Sequence, residues 1–292
     1  MRHSTALVAE DRSLTIREPL LDTPVALAED VLCFERPGAH GREGFSSAFQ
    51  VCLPYRGLFV WHVGRDDIVG DANQVLFVSR GEPFRLTQPV PRGYAELIIT
   101  PSEDTLADVA GTSPARLSSH PLFRRRSHRA DPSLQRLRTR LLHRLESGVA
   151  DPLRSEEAIV ELLRGAFHAN GNGRPAHART RRLIARAKTY LEENLSTTVH
   201  LQQVARAAGA SPAYLTDAFR RHEGIPLHRY LVQLRLSRAL AELPHANDLT
   251  ALALDLGFSS HSHFAAAFHR MFQCTPSAFR ESTRRLTPRS AV

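Results

Sequence analysis

The last third of the chain contains an internal repeat, and this repeat restricts the possible folds more than any other feature of the sequence. Gly209 and Gly257 lie 48 residues apart, and each follows an apolar-alanine pair by four residues. After Phe258 the offset becomes 49, and the matched positions are Leu215 with Phe264, Phe219 with Phe268, Arg221 with Arg270, and Tyr230 with Phe279. The duplication indicates two copies of one small supersecondary motif.

Each copy is predicted to form a short helix, a turn and a second helix. The two glycines supply the positive φ of a tight turn. Ser211 in the first copy, and Ser259 or Ser260 in the second, can cap the helix that follows. This pattern is typical of the helix-turn-helix, whose second helix fits the major groove of DNA. We therefore predict recognition helices at about residues 212–222 and 261–272.

The outward faces of these two helices should contact DNA, because their apolar stripes must face the domain core. The predicted DNA-contacting residues are Ser211, Ala213, Thr216, Asp217, Arg220, Arg221, Ser260, His261, Ser262, Ala265, Ala266, His269 and Arg270. Alanine reaches only thymine methyl groups, so we expect the first copy, through Thr216 and Asp217, and the start of the second to carry most base discrimination. For each arginine, and for Arg280, phosphate contact and simple solvation remain open alternatives.

The positive charge is concentrated in the same region. The formal net charge is +8, and from Arg181 onward fifteen basic residues face eight acidic ones. Such asymmetry indicates that one domain meets a polyanion, although a solvated basic face is the alternative. Residues 226–243 between the copies would form a helix of roughly 27 Å. Two readers at that separation match successive major-groove segments, about 34 Å apart on one face of DNA, only approximately, so we expect the DNA or the protein to bend.

The first half of the chain is mostly β, which makes the predicted fold class α+β. Short runs rich in Val, Phe and Ile alternate with turn formers over residues 46–100, as in a barrel or sandwich. Amphipathic helices are predicted at 131–148 and 155–167, with apolar stripes that face the barrel or a second subunit. We predict a β-rich domain with two trailing helices at 1–168, a Gly- and Pro-broken linker at 169–180, and a DNA-binding domain at 181–285.

The C-terminal segments RLSRAL (235–240) and LALDLGFSSHSHFAAAFHRMFQCTPSAFR (252–280) resemble the signature of the AraC/XylS family of transcription regulators. The resemblance covers about 100 residues. It implies a cupin-like effector barrel, promoter recognition as a homodimer, control by a small-molecule effector, and RNA polymerase as a partner of an activator. Gln273 departs from the family, which has glycine there, and would cost about 1 kcal/mol if a left-handed conformation is required.

The N-terminal half carries weaker functional signals. Arg56, Trp61, His62 and Arg85 are candidates for lining an effector pocket, against the alternative that they are ordinary core or rim groups. His62 lacks the HxH partner and following glutamate of metal-dependent cupins, so we expect no metal, no cofactor and no catalytic residues. Cys33 and Cys52 are candidate redox sensors, against the alternative of buried reduced thiols.

The sequence also bears on location and on rival functions. No apolar run approaches the roughly 20 residues that cross a bilayer, so we expect a cytoplasmic protein with no membrane partner. The family resemblance implies a bacterial protein associated with the nucleoid. Two rival functions remain open: an architectural or repair DNA binder with little sequence preference, and an enzyme built on the barrel, which would need a metal-binding set.

Overall fold

The computed structural model describes residues 8–10, 13–35, 43–90, 93–117, 123, 125–147, 151–168 and 178–284. The predicted linker therefore lies mostly outside the described residues. The strands are β1 (Val8–Glu10), β2 (Ser13–Asp22), β3 (Ala26–Glu35), β4 (Gly44–Phe45), β5 (Gln50–Arg56), β6 (Leu58–Val63), β7 (Asp66–Asp71), β8 (Gln74–Val78), β9 (Pro83–Thr87), β10 (Tyr94–Pro101) and β11 (Ser127–Arg129).

The helices follow the strands along the chain. They are α1 (Glu103–Ala110), α2 (Pro114–Leu117), α3 (Pro132–Glu146), α4 (Pro152–His168), α5 (Ala178–Glu193), α6 (Leu201–Ala208), α7 (Pro212–Glu223), α8 (Leu227–Glu242), α9 (Leu249–Asp255), α10 (His261–Phe272) and α11 (Pro276–Arg284). This succession of a β-rich region and a helical region confirms the α+β prediction. Within the described segments, none of the helices combines the length and the apolar character that crossing a bilayer requires.

Two antiparallel sheets form the β region. The larger has the order β1-β2-β3-β10-β5-β8-β11 and the smaller β4-β9-β6-β7. Between them lies an apolar cluster that includes Trp61 and Phe59 from the small sheet and Cys33, Cys52 and Tyr94 from the large one. The interior of the sandwich is therefore filled by side chains.

Helices α3 and α4 cover the other face of the large sheet. Their predicted apolar stripes, which include Leu134, Leu141 and Ile159, join the core formed with Val51 and Leu97 of the sheet. The sequence left open whether these stripes face the β region or a second subunit. In the structure they pack on the β region. Asp131 caps α3, with its carboxylate accepting from the backbone N–H of Leu134 at 2.9 Å.

The sequence did not predict the β2–β3 hairpin, although each strand has ten residues. Pro19 interrupts β2 at a register shift in its pairing with β3, and a proline within a run argues against a strand. In β3 the acidic residues hide the alternation, because Asp30 points into the interior and accepts a hydrogen bond from the Tyr55 hydroxyl at 2.8 Å. A partnered carboxylate of this kind is not visible in a hydrophobicity pattern.

The helical region contains two apolar cores that share one helix. Helices α5 to α7 pack around Leu215, Phe219 and Tyr230, whereas α9 to α11 pack around Phe264 and Phe268. Helix α8 supplies side chains to both cores, with Tyr230 in the first and Leu240 in the second. Its 16 residues span about 24 Å, which sets the separation of the two units.

The turn of the second unit is held from the connecting helix. Arg235 on α8 donates to the carbonyl oxygens of Leu195, Thr197 and Gly257 at 2.7–2.8 Å. Gly257 has φ of 79°, and a Cβ there would lie 2.7 Å from the Leu195 carbonyl oxygen. Glycine is therefore required at this turn for both its backbone conformation and its close contact.

Candidate nucleic-acid interface

Helix α7 has the predicted division between a buried and an outward face. Leu215 and Phe219 are fully buried, and the side chain of Ser211 caps the helix by accepting from the Tyr214 N–H at 3.3 Å. The preceding Gly209 has φ of 71°, as a tight turn requires. The predicted contact residues of this copy are all exposed: Ser211, Ala213, Thr216, Asp217, Arg220 and Arg221.

Helix α10 repeats the arrangement. Phe264 and Phe268 are fully buried, and Ser260, the second of the two serines considered, caps the helix through the His263 N–H at 3.1 Å. Most of its predicted contact residues are exposed, namely Ser260, Ser262, Ala266, His269 and Arg270, while His261 and Ala265 are half-buried.

Two polar groups on α7 already have partners within the helix. The carboxylate of Asp217 lies 2.6 Å from the guanidinium of Arg221, four residues further on. Because both side chains are more than half exposed, this ion pair adds little stability, but it places a cation next to a carboxylate that would otherwise repel phosphate. The Thr216 hydroxyl donates to the Pro212 carbonyl oxygen at 2.6 Å, and its methyl group and remaining lone pair stay on the outward face.

Gln273 ends α10 in the left-handed conformation that a glycine would adopt most easily at this position. Its φ of 56° is left-handed, and Gln273 is the non-glycine residue with positive φ in the described part of the chain. Its backbone N–H donates to the His269 carbonyl oxygen at 2.8 Å. The helix therefore ends as a glycine-terminated helix would, with a side chain at the strained position.

Two residues on these outward faces were missed by the sequence analysis. Tyr214 on α7 is 44% exposed, and His263 on α10 is exposed, with its imidazole 3.2 Å from the Ser259 hydroxyl. An aromatic residue near the start of a helix is usually taken for a buried core residue, and for this reason Tyr214 was not predicted to contact DNA. Its position next to Leu215, outside the four-residue apolar spacing, was the available signal.

The four effector candidates are not brought together. Trp61 is buried between the sheets. His62 points to the outer face, where its ring nitrogens contact Asp67 and Thr87 at 2.7 and 2.8 Å, and Arg85 is exposed on the neighbouring strand. Arg56 lines a cavity between the β region and the helical region. Effector binding by these residues stays a prediction.

The β7–β8 turn joins the β region to the first helix-turn-helix unit. Ala72 packs in the apolar core of that unit. The fully buried Asn73 accepts a hydrogen bond from the Ser237 hydroxyl at 2.9 Å, and Gln74 donates to the Glu223 carboxylate at 3.2 Å. The composition of this turn is that of an ordinary loop, but the turn packs into the first helix-turn-helix unit.

A buried ionic network lies at this contact. The Lys188 ammonium is 2.9 Å from Glu223 and 3.7 Å from Asp71, and the Tyr230 hydroxyl donates to Asp71. Burial opposes the ionisation of Glu223, but the attraction of Lys188 outweighs it and lowers the pKa of Glu223 to about 2. Removing one partner would leave an uncompensated buried charge, so the network favours a fixed relation between the two domains.

The second unit is docked on α3. Arg136 donates to the carbonyl oxygen of Phe272 at the end of α10, and the Arg140 guanidinium lies 5.9 Å from the centre of the Phe279 ring. Both helix-turn-helix units therefore contact the N-terminal region, while the outward faces of α7 and α10 remain largely exposed.

Comparison with known proteins places these features in a family. The helix-turn-helix domain family matches residues 204–282. The regulatory protein PocR of Salmonella typhimurium is 31% identical over 99 residues, 34% of this chain and 33% of PocR. The transcriptional activator AarP of Providencia stuartii is 30% identical over 101 residues, 34% of this chain and 75% of AarP.

A solved structure is similar to part of the chain. An AraC-type transcriptional regulator from Chromobacterium violaceum is 26% identical, with a TM-score of 0.35, and the match covers 37% of this chain and 96% of that one. The chain spans about a third of the length of the first curated relatives that it matches. The match that covers most of AarP, together with the duplicated helix-turn-helix, shows that the chain belongs to the AraC/XylS family of transcriptional regulators.

Proposed function

We propose that the chain is a sequence-specific regulator of transcription that reads promoter DNA with α7 and α10 in successive major-groove segments. The observation that carries the proposal is the repeated division of these helices. Each buries an apolar stripe in its own core and directs polar and basic side chains outward. That division is what a recognition helix requires.

The contact residues have different proposed roles. Thr216, Asp217, His261 and Ser262 discriminate bases, whereas Arg220, Arg221 and Arg270 bind phosphates. Tyr214 and His263 are added to the set because of their exposure. Arg280, for which phosphate contact was left open, is not added to it, since its guanidinium donates to the carbonyl oxygens of Ala246 and Asn247 at 3.1 and 3.2 Å and so holds the segment before α9.

The remaining partners belong to the same proposal. The family resemblance supports a homodimer, a small-molecule effector and RNA polymerase as partners of an activator. Because the apolar stripes of α3 and α4 pack on the sheet, dimer contact through these helices would use the outer face of α4, where Leu153 is 63% exposed. The domain limits 1–168, 169–180 and 181–285 and a cytoplasmic location stay predictions.

Regulation would act through the docked interface. Both units contact the N-terminal region, so an effector that binds more tightly to one arrangement of that interface changes how α7 and α10 are presented. It does so only to the extent of its unequal affinity for the two arrangements.

The proposed phosphate role of Arg270 is tested by salt-dependent DNA binding. Replacing Arg270 with alanine removes one exposed cation from α10, so affinity should fall for all duplexes alike. The slope of log K against log salt should decrease in magnitude by about one. Fluorescence anisotropy with labelled duplex of mixed sequence, over a range of salt concentrations, measures both quantities.

Arg80→Ala is the matched control, because Arg80 is an exposed arginine of the β region and its loss changes the net charge equally. That variant should keep the wild-type slope. Equal slopes for wild type, Arg80→Ala and Arg270→Ala would contradict the proposed role of Arg270 and the placement of α10 on DNA.

A further inference from the structure

A cavity of about 550 Å³ lies where the two regions of the chain meet. Tyr55 and Arg56 at the end of β5 form one wall, α3 forms a second, and the segment that joins α8 to α9 closes the third side. A ligand held across these walls would contact the β region, α3 and the second helix-turn-helix unit at once.

Three metal-binding side chains converge in this cavity. They are His143 and Glu146, one turn apart on α3, and His245 in the segment after α8. One donor atom from each lies within 4.8 Å of the donor atoms of the other two. A tetrahedral ion with bonds of about 2.1 Å separates neighbouring donors by about 3.4 Å, so small side-chain rotations would complete the coordination.

The surroundings of the three side chains also suit a metal ion. The imidazole of His143 hydrogen-bonds with the backbone of Thr283, and a backbone partner of this kind orients a histidine ligand.

We propose that His143, Glu146 and His245 bind a divalent transition-metal ion such as Zn²⁺ between the two domains. Two imidazoles and one carboxylate are a donor set that Zn²⁺ accepts in proteins, and the fourth position would face the cavity and take water or a small ligand. No metal was expected from the sequence, because His62 lacks the HxH partner of metal-dependent cupins. The three ligands proposed instead lie in two distant segments and form no compact motif. The proposal goes beyond DNA recognition and does not depend on it.

The structural consequence is a link between domains. The ion would join α3, which covers the sheet, to the segment that leads into the second helix-turn-helix unit. Metal binding would therefore stabilise the docked arrangement, because the ligands come from both sides of the interface.

The test is binding of Zn²⁺ to the full chain at neutral pH, measured by isothermal titration calorimetry, with Co²⁺ as a spectroscopic probe. The wild type should bind one ion per chain and gain thermal stability. His245→Ala and Glu146→Gln should each weaken binding at least 100-fold, since loss of an outer-shell partner alone costs about 10–100-fold. The visible absorption of bound Co²⁺ should be lost in both variants.

His228→Ala is the matched control, because His228 is an exposed histidine on α8 outside the cluster, and it should bind Zn²⁺ as the wild type does. His245 and Glu146 are themselves exposed, so both variants should fold, which circular dichroism checks. A wild type that binds no Zn²⁺, or equal binding by wild type and His245→Ala, would overturn the proposal.

Discussion

At the residue scale, Glu96 and Glu223 are both buried carboxyl groups, but their surroundings shift their pKa values in opposite directions. Glu223 faces Lys188, which lowers its pKa to about 2. Glu96 lies in the large sheet, where burial raises its pKa to about 8 and Arg17 only partly opposes the shift. Among the described residues no hydrogen-bond partner is found for its Oε2 atom. The folded protein therefore keeps a proton on Glu96 that the unfolded chain releases near pH 4.5.

Glu96→Gln should change how stability depends on pH. Since the folded-state pKa is raised, the contribution of Glu96 is fully present below about pH 4.5 and is lost as the pH rises to about 8. Between these limits the wild type should lose up to about 1.4 kcal/mol per pH unit relative to Glu96→Gln. Urea unfolding at several pH values measures the difference. Glu161→Gln, at an exposed position, is the control, and its free energy of unfolding should depend on pH as that of the wild type does. A constant difference between Glu96→Gln and wild type would refute the shifted pKa.

The residues that the sequence could predict are those whose roles are local. Ser211 and Ser260 cap the helices that start next to them, and Gly209 and Gly257 have the positive φ that their turns require. Asn73 and His245 depend instead on contacts between regions distant in the sequence. Their partners are set by tertiary packing, which local propensity and periodicity do not report.

At the element scale, the end of α10 combines a glycine-type conformation with a glutamine side chain. The αL conformation of Gln273 brings its Cβ close to the backbone, a conflict that glycine avoids. The side chain of Gln273 recovers part of this cost by donating to the Arg270 carbonyl oxygen at 3.1 Å. This exposed hydrogen bond stabilises the folded state less than glycine would by removing the conflict between the Cβ and the backbone.

Gln273→Gly should therefore stabilise the helical region by about 1 kcal/mol. Gln273→Ala is the matched control, because it removes the same hydrogen bond and keeps the Cβ, so it should not stabilise. Chemical unfolding of the full chain measures both. If the alanine and glycine variants were equally stable, the strained αL end would not be the cause.

The elements differ in how well the sequence announces them. The helices of the repeat were predicted because apolar residues recur at helical spacing and terminal caps agree with that spacing. The β2–β3 hairpin was not predicted, because Pro19 and the buried Asp30 interrupt the alternation of apolar and polar residues that marks a strand. Buried polar groups are stabilised by partners such as Tyr55, and those partners are known only once the strands are paired.

At the scale of the whole molecule, the two helix-turn-helix units are fixed both to each other and to the N-terminal region. Helix α8 joins their cores, the β7–β8 turn holds the first unit, and α3 holds the second. The outward faces of α7 and α10 stay largely exposed in this arrangement, so both of the surfaces proposed to read DNA are accessible in the docked protein.

The proposed function requires both helices to read bases on the same DNA molecule. This is tested by selecting duplexes from a random library with the full chain, and repeating the selection with Thr216→Ala on α7 and Ser262→Ala on α10. The wild type should enrich a site with two conserved segments about 34 Å apart, one helical turn of DNA. Each variant should relax the preference in one segment and leave the other intact. Binding without enrichment of any sequence, or variants that leave both segments unchanged, would contradict the account and favour an architectural role.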